Sequence, residues 1–411
     1  MKRLLAQLLE KEHFAEPTSK MAFVVGPRQC GKTTLARALQ QDRGTPDLYR
    51  NWDDLLWRKE LSSNPYGFLD QFRPLGRKKP LAVLDEIHKF PRWKQYLKGL
   101  WDTRAQKADI LVTGSGRLDV YKKGGDSLLG RYHQYRLHPL SVSEVLKKSF
   151  HPEKDTPENI LKHLFEDPPS PTTGQREVFD ALTRFSGFPE PFLRQNERAH
   201  RLWLRERRDR LIREDLRDLT RIQMLSSVEQ MVELIVPRVG TLLSLNNLRN
   251  DLGVSFQSTQ LWMEQLERLY WCYRIRPYAG KLSRALAREP KLYLYDWTEI
   301  PEPAIKFENM VACALLRWCH FTQDWGQEPL ELRFMRDKEK REVDFLLIKN
   351  GKPFLLIETK LSETKPTSAL DYFSEKLGKV PKILLVSEIT RPGISHNCLV
   401  LPATSLLSLI P

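Results

Sequence analysis

The run GPRQCGKT at positions 26–33 constrains this chain more than any other eight residues in it. It fits G-x-x-x-x-G-K-[ST] in full. It follows the apolar run MAFVV (21–25) directly and opens a helical pattern from about Thr33 to Gln41. That strand–loop–helix setting is what the motif requires, and a chance Gly-rich turn rarely has it. In such a loop, backbone N–H groups and the helix N-terminus surround phosphates. Gly26, Pro27, Arg28, Gln29, Cys30, Gly31 and Thr34 are therefore candidate nucleotide contacts. Lys32 can reach the β- and γ-phosphates, and the Thr33 hydroxyl can ligate Mg²⁺.

The loop also dictates its surroundings. LAVLD (81–85), ADILVTGS (108–115) and YHQYRLHPL (132–140) read as further strands separated by helices, so a parallel sheet covered on both faces is expected. Asp85 ends one of these strands, where a carboxylate can hold the metal's shell, and Glu86 beside it can polarise an attacking water. Thr113 and Ser115 end the next strand. They can contact the γ-phosphate or the water, or simply cap the following turn. Arg131 in SLLGR (127–131) is a candidate for a charge-stabilising arginine finger, with a structural surface arginine as the alternative.

The chain has 411 residues, 41% hydrophobic and 29% charged, which excludes a largely disordered polymer and allows two to three domains of ordinary size. No apolar run approaches the ~20 residues of a membrane helix. The opening MKRLLAQLLEKEHF begins like a signal peptide, but Gln7 and Glu10 interrupt it, so it reads as a first helix. Five cysteines without zinc-type pairing suit a reducing cytoplasm. The net charge of +14 favours phosphate-rich partners, although a merely basic soluble protein has the same arithmetic.

Residues 149–175 are rich in Pro, Glu, Lys and Thr and read as linker or insertion. The arginine-dense stretch 198–219 reads as a solvated helix laced by i,i+4 pairs. From Ser226 come three helices, with Ser244 and Ser255 as N-caps and Gly253 as a C-cap. The Gly253-Val254 gap has helix-turn-helix spacing, and 271–281 with 291–296 supply the two strands of a wing. Gln257, Ser258 and Gln260 sit where base contacts would arise. Arg274, Arg276, Lys281 and Arg284 would meet phosphates, with nearby aromatics either stacking on bases or forming core. In the C-terminal part, REVDFLLIK and KPFLLIETK flank Asn350-Gly351, a strong hairpin signal. Alternation puts Glu358 and Lys360 on one face, and the hairpin brings Asp344 alongside. Two carboxylates and a lysine can hold a divalent ion and activate water for phosphodiester attack, with Glu308 as a further carboxylate. Solvent-facing charges on strand edges are the alternative.

Taken in order, GPRQCGKTT, VLDEIHK, VTGSGR, SLLGRYHQYRLHPLSVSE, SGFPEP, ERLYWCYRIRPY, KLYLYD, FENMV, EVDF and IETK resemble the AAA+-type ATPases of bacteria and archaea that carry a C-terminal restriction-endonuclease-like domain. The resemblance implies an α/β fold in four parts: an ATPase core at 1–145, a helical lid and linker at 146–225, a winged helix at 226–300 and a nuclease-like domain at 301–411. It implies ATP and Mg²⁺ as cofactors, with Gly26, Gly31, Lys32 and Thr33 as phosphate loop and Asp85 with Glu86 as the acidic partner. Arg131 would act on a neighbouring subunit, in a homo-oligomer for which a hexameric ring is the candidate form. Glu308, Asp344, Glu358 and Lys360 would be the nuclease-like residues, and duplex, forked or branched DNA the partner. The sequence departs from the family pattern at Cys30, Leu129, Ser186 and Trp297-Thr298. The expected activity is Mg²⁺-dependent ATP hydrolysis used to remodel bound DNA or move along it, in the cytoplasm, with DNA cleavage by the C-terminal site as a further possibility. A nucleotide-switched regulatory or defence protein that binds without cutting is the competing reading.

Overall fold

A computed structural model describes residues 3–16, 20–70, 72, 79–114, 128–212, 225–279 and 289–411. The chain forms two compact units, Met1–His138 and Pro139–Pro411. Among the described residues, no helix is long and apolar enough to cross a membrane.

The first unit is built on a five-stranded sheet. Its strands are β1 (Met21–Val25), β2 (Tyr49–Asn51), β3 (Leu81–Asp85), β4 (Asp109–Thr113) and β5 (Tyr132–Arg136). The order is β2-β3-β4-β1-β5 and every pairing is parallel. β1, β3 and β4 are buried at every residue, as their unbroken apolar runs require of central parallel strands. β5 is buried only in part, which suits an edge. Helix α1 (Leu4–Lys11) buries Leu4, Leu5, Leu8 and Leu9, so the opening segment is a docked amphipathic helix. Helix α2 (Lys32–Asp42) follows β1, and α3 (Trp93–Arg104) precedes β4.

Three consecutive helices follow the Pro-rich stretch in the second unit. α4 (Thr173–Phe185) starts at a capping box between Thr172 and Gln175, and α5 (Pro189–Arg194) and α6 (Glu197–Arg210) follow. The Pro-rich stretch before them is not plain linker: Pro157–Glu166 is a helix that buries Ile160 and Leu164 one turn apart. α6 has i,i+4 pairs such as Arg201–Glu197, but its Arg207 is buried and donates to Glu299. Ser186, before Gly187, sits at φ 77° and ψ 162°, a region almost reserved for glycine. Its hydroxyl donates to the buried Asp296 (2.8 Å), and Trp297 Nε1 donates to the Leu182 carbonyl (2.9 Å), so these two departures from the resembled pattern join the end of α4 to the segment around Asp296.

Helices α7 (Leu245–Leu252) and α8 (Phe256–Arg268) meet at Gly253, which is left-handed at φ 64°. Ser255 caps α8 by accepting from the Ser258 N–H, whereas Ser244 makes no side-chain cap bond. The next two strands, β6 (Cys272–Pro277) and β7 (Lys291–Leu294), pair antiparallel. They do not stand as a free wing. β6 also pairs with β8 (Leu330–Arg336), which makes the hairpin one edge of an eight-stranded sheet ordered β12-β13-β11-β10-β9-β8-β6-β7. Its other strands are β9 (Glu342–Lys349), β10 (Lys352–Lys360), β11 (Lys382–Val386), β12 (Gly393–Ser395) and β13 (Cys398–Pro402). Asn350 (φ 50°) and Gly351 (φ 74°) form the expected two-residue turn between β9 and β10. Helix α9 (Pro303–Asp324) and α10 (Ser368–Lys376) pack on this sheet, with Leu346, Leu356, Leu370, Phe373 and Leu384 in one core cluster.

Candidate active site

The register of the first sheet assembles the site. Asp85 ends β3 directly opposite Thr113 at the end of β4, and β1, which delivers the loop, is the next strand over. The loop backbone turns at Gly26 (φ 150°), Gln29 (φ 62°) and Gly31 (φ 98°) before α2 begins at Lys32. A side chain at Gly26 would place a Cβ 2.2 Å from the Leu137 carbonyl oxygen, so only glycine fits there. Lys32 is buried, and its ammonium donates to the Gly26 (2.9 Å) and Pro27 (2.7 Å) carbonyls, spanning the loop as a cation held for an anionic occupant. Arg28 and Gln29 are half-buried and Cys30 is buried, while Thr33 and Thr34 are exposed at the helix start.

Asp85 is the centre of a hydroxyl cluster. It accepts from Thr33 Oγ1 (2.8 Å) and Tyr49 (2.6 Å) through Oδ2, and from Thr113 Oγ1 through Oδ1. Burial, and then the Asp85 carboxylate, raise the Tyr49 phenol above its usual range. Tyr49 was missed by sequence reasoning, because the three residues of β2 carry no apolar pattern to announce a strand. Glu86 follows in the left-handed region (φ 57°) and is largely desolvated, which raises its pKa; Lys89 and Lys32 oppose the shift. Lys89 lies 3.6 Å from Glu86 and also holds Asp53 at 2.7 Å. Ser115 lies outside the described residues. Arg131 is at the other end of the sheet: its carbonyl accepts from the Met21 N–H at the start of β1, and its guanidinium grips Asp102 on α3 at 2.7 and 3.2 Å.

The second unit collects the other candidates. Asp344 accepts from the backbone (2.8 Å) and hydroxyl (2.7 Å) of Thr359, and Glu358 accepts from the backbone (3.1 Å) and hydroxyl (3.0 Å) of Thr367. Lys360 stands 3.4 Å from Glu358 on the same face. Glu308 accepts from Tyr293 (2.7 Å), and the buried Lys291 lies between Glu308 (3.4 Å) and Glu342 (2.5 Å). Burial and the charge of Asp344 push the Glu308 pKa up to about 7. Glu342 was not anticipated from the sequence, and Lys291, read there as one of the wing's basic residues for phosphates, faces these carboxylates instead. Among the described residues, no group of three or more His, Cys, Asp or Glu side chains is arranged to hold a metal. In this cluster Lys291 offsets Glu308 and Glu342, whereas Asp344 accepts from the neutral donors of Thr359.

The residues nominated for DNA contact are partly spoken for. Arg274 makes a two-point pair with Glu267 (2.7 and 2.6 Å), Gln260 donates to Glu264, and Ser258 bonds Ser255. Gln257 is exposed, and Arg276 is half-buried on β6. Lys281 and Arg284 lie outside the described residues. The neighbouring aromatics are core: Trp271 and Tyr273 are buried, and Tyr273 stacks on Tyr293.

Residues 18–146 match the AAA domain family, so the strand–loop–helix site belongs to an AAA-type P-loop ATPase domain. Residues 176–298 and 305–406 match two domains of unknown function, DUF8612 and DUF4143. An uncharacterized protein of Mycobacterium tuberculosis is 21% identical over 348 residues, covering 81% of this chain and 69% of that one. Another, from Haemophilus influenzae, is 20% identical over 291 residues and 68% of each chain. Among solved structures, the Thermotoga maritima RuvB Holliday junction branch migration motor is 15% identical over 66% of this chain and 87% of its own, at a TM-score of 0.31. AMPPCP-bound DnaA from Aquifex aeolicus is 14% identical over 64% and 87%, at 0.32. Likenesses this distant carry no argument about function.

Proposed function

We propose that this protein is a Mg²⁺-dependent ATPase that binds DNA and uses hydrolysis to remodel it or move along it. The observation that carries the reading is the convergence of Lys32, Thr33 and Asp85 at the mouth of one phosphate loop. A hydroxyl and a carboxylate 2.8 Å apart are the hard oxygen donors that Mg²⁺ takes alongside phosphate and water. Thr33 and Asp85 would hold the ion, which would neutralise phosphate charge there. Lys32 exchanges its loop carbonyls for phosphate oxygens. Glu86 accepts the proton of the attacking water, a role that its raised pKa suits. Arg131 lies five strand residues from the loop, about 16 Å at ordinary strand rise. It serves a neighbouring copy's nucleotide in a ring rather than its own.

DNA is the proposed partner because of the +14 charge and because α6 presents Arg198, Arg201 and Arg205 on its exposed face at three- and four-residue spacing. Arg198 and Arg205 make no ion pair among the described residues. A second reading is favoured by Lys291: with Glu308 and Glu342 already offset by it, the C-terminal domain binds and does not cut. ATP turnover measured with and without duplex and forked DNA tests the first reading. Stimulation by DNA that fades steeply with salt supports it, and turnover indifferent to every DNA refutes the DNA clause. Cleavage of labelled DNA in Mg²⁺ or Mn²⁺, abolished by Asp344→Asn, would overturn the second.

A further inference from the structure

The phosphate loop is fastened from outside by a residue that no motif includes. Arg3, just before α1, is 6% exposed. A guanidinium this far from water requires acceptors. Its NH1 donates to the Cys30 carbonyl (2.7 Å) and its NH2 to the His138 carbonyl (2.6 Å). The first acceptor lies inside the loop, and the second is the last residue of the first unit.

The Cys30 contact bears on phosphate binding through the peptide plane. The Cys30 carbonyl and the Gly31 N–H belong to one planar trans unit and point in opposite directions. Fixing the carbonyl toward Arg3 therefore turns the Gly31 donor away from Arg3. Gly31, at φ 98° with no Cβ, contributes no side chain to hold that plane. The same segment also supports the rest of the loop: Gly26 packs against the Leu137 carbonyl, and Cys30 Sγ points at that oxygen from 3.5 Å.

We infer that Arg3 is a positioning residue of the nucleotide site: it holds the Cys30–Gly31 peptide so that the Gly31 N–H faces the phosphates, and it ties the loop to residues 137–138, where the chain leaves the first unit. The inference deepens the ATPase reading and rests on it. Arg3 touches no phosphate itself; it acts through the loop backbone.

The test is equilibrium binding of a fluorescent ADP analogue to the full chain, together with steady-state ATP turnover, for wild type, Arg3→Ala and Arg3→Lys. Losing a charge-assisted hydrogen bond that orients a phosphate donor should weaken binding and raise KM about tenfold, with kcat changed less than about threefold. Arg3→Lys should recover only part of the loss, because one ammonium does not hold two carbonyls in a fixed fork. Millimolar guanidinium should tighten binding to Arg3→Ala and leave wild type unchanged. A folded Arg3→Ala chain, judged by circular dichroism, that binds the analogue within twofold of wild type overturns the proposal. So does a collapse of kcat at unchanged KM. If Arg3→Ala does not fold, full recovery of affinity by Arg3→Lys overturns it instead. A wild-type chain that binds no nucleotide removes the ATPase reading itself, an outcome distinct from these.

Discussion

Two clusters in this chain look alike on paper, each pairing carboxylates with a lysine for phosphate chemistry, and the structure treats them differently. Among the described residues, Lys32 is satisfied in the first by carbonyls of the loop it spans, and Asp85 by hydroxyls, all neutral partners that a phosphate and a cation can displace. In the second, Lys291 is buried against Glu308 and Glu342 and Lys360 stands 3.4 Å from Glu358, while Asp344 is met, as Asp85 is, by neutral donors. A site for a charged ligand has to keep its charges uncompensated, and only a backbone cradle does so at modest cost. Carboxylates near a lysine neutralise one another unless a ligand intervenes.

The largest expected effect tests the first half of that contrast. Lys32→Ala should reduce ATP turnover by a hundredfold or more, roughly the scale of losing a charge that stabilises the transition state. The chain should stay folded, because Lys32 ties together only loop carbonyls. A variant that keeps even a tenth of wild-type turnover would show that the cradle is not the reaction site. A pH profile of kcat then probes Glu86. A base whose folded pKa is raised must lose its proton before it can act, so the acid limb should lie above the ordinary glutamate range. Lys89→Met, which removes a neighbour that lowers this pKa, should move the limb further up. A limb in the ordinary range would dismiss Glu86 as the base.

The second cluster should answer in stability. Lys291→Met strands Glu308 without its cation, while Glu342 keeps Arg336, and should cost roughly 3 kcal/mol at pH 8, the scale for breaking one side of a mostly buried pair. Glu308 sets the pH dependence. Its folded pKa of about 7 is above the unfolded value, so the native state binds the extra proton and stability falls as pH rises through that window. At pH 6 Glu308 can be neutral, and the penalty of Lys291→Met should shrink. In Glu308→Gln the falling limb should vanish. Urea titrations at pH 6 and pH 8 measure all three. The same melts with Mn²⁺ should show no shift in the wild-type transition of this unit; a saturable rise would mean that a metal displaces the lysine and would erase the contrast.

How much of this was legible follows the physical origin of each feature. The phosphate loop was readable because its glycines and helix start are local backbone requirements, and β1, β3 and β4 because burial on both faces leaves an apolar run. The Asn350-Gly351 turn was readable for the same local reason. β2 was not, since an edge strand of Tyr-Arg-Asn has no pattern. The wing was half right: the antiparallel pair was visible in the sequence, but the pairing of β6 with β8, some sixty residues on, is a tertiary choice. The nuclease-like motif named Asp344, Glu358 and Lys360 as neighbours, yet could not show that Lys291, which comes from another strand and reads as one of several basic residues for phosphates, turns to Glu308 and Glu342 instead. Arg3 was hidden likewise, as one more charge in an opening helix.

The smallest effect discriminates most finely within the nucleotide site. Tyr49→Phe removes one of the three hydroxyls donated to Asp85 and leaves Thr33 and Thr113 in place. A neutral hydroxyl on a carboxylate contributes about 1 kcal/mol net, so the apo protein should be destabilised by roughly that amount. If Asp85 trades its hydroxyls for a cation when nucleotide arrives, the lost bond matters mainly in the empty state, and the Mg²⁺ concentration needed for half-maximal turnover should stay level or fall by up to about threefold. If the phenol instead holds Asp85 in its working orientation, that concentration should rise. A Mg²⁺ titration of turnover at saturating ATP therefore decides whether the hydroxyl cluster is a placeholder for the cation or part of its support.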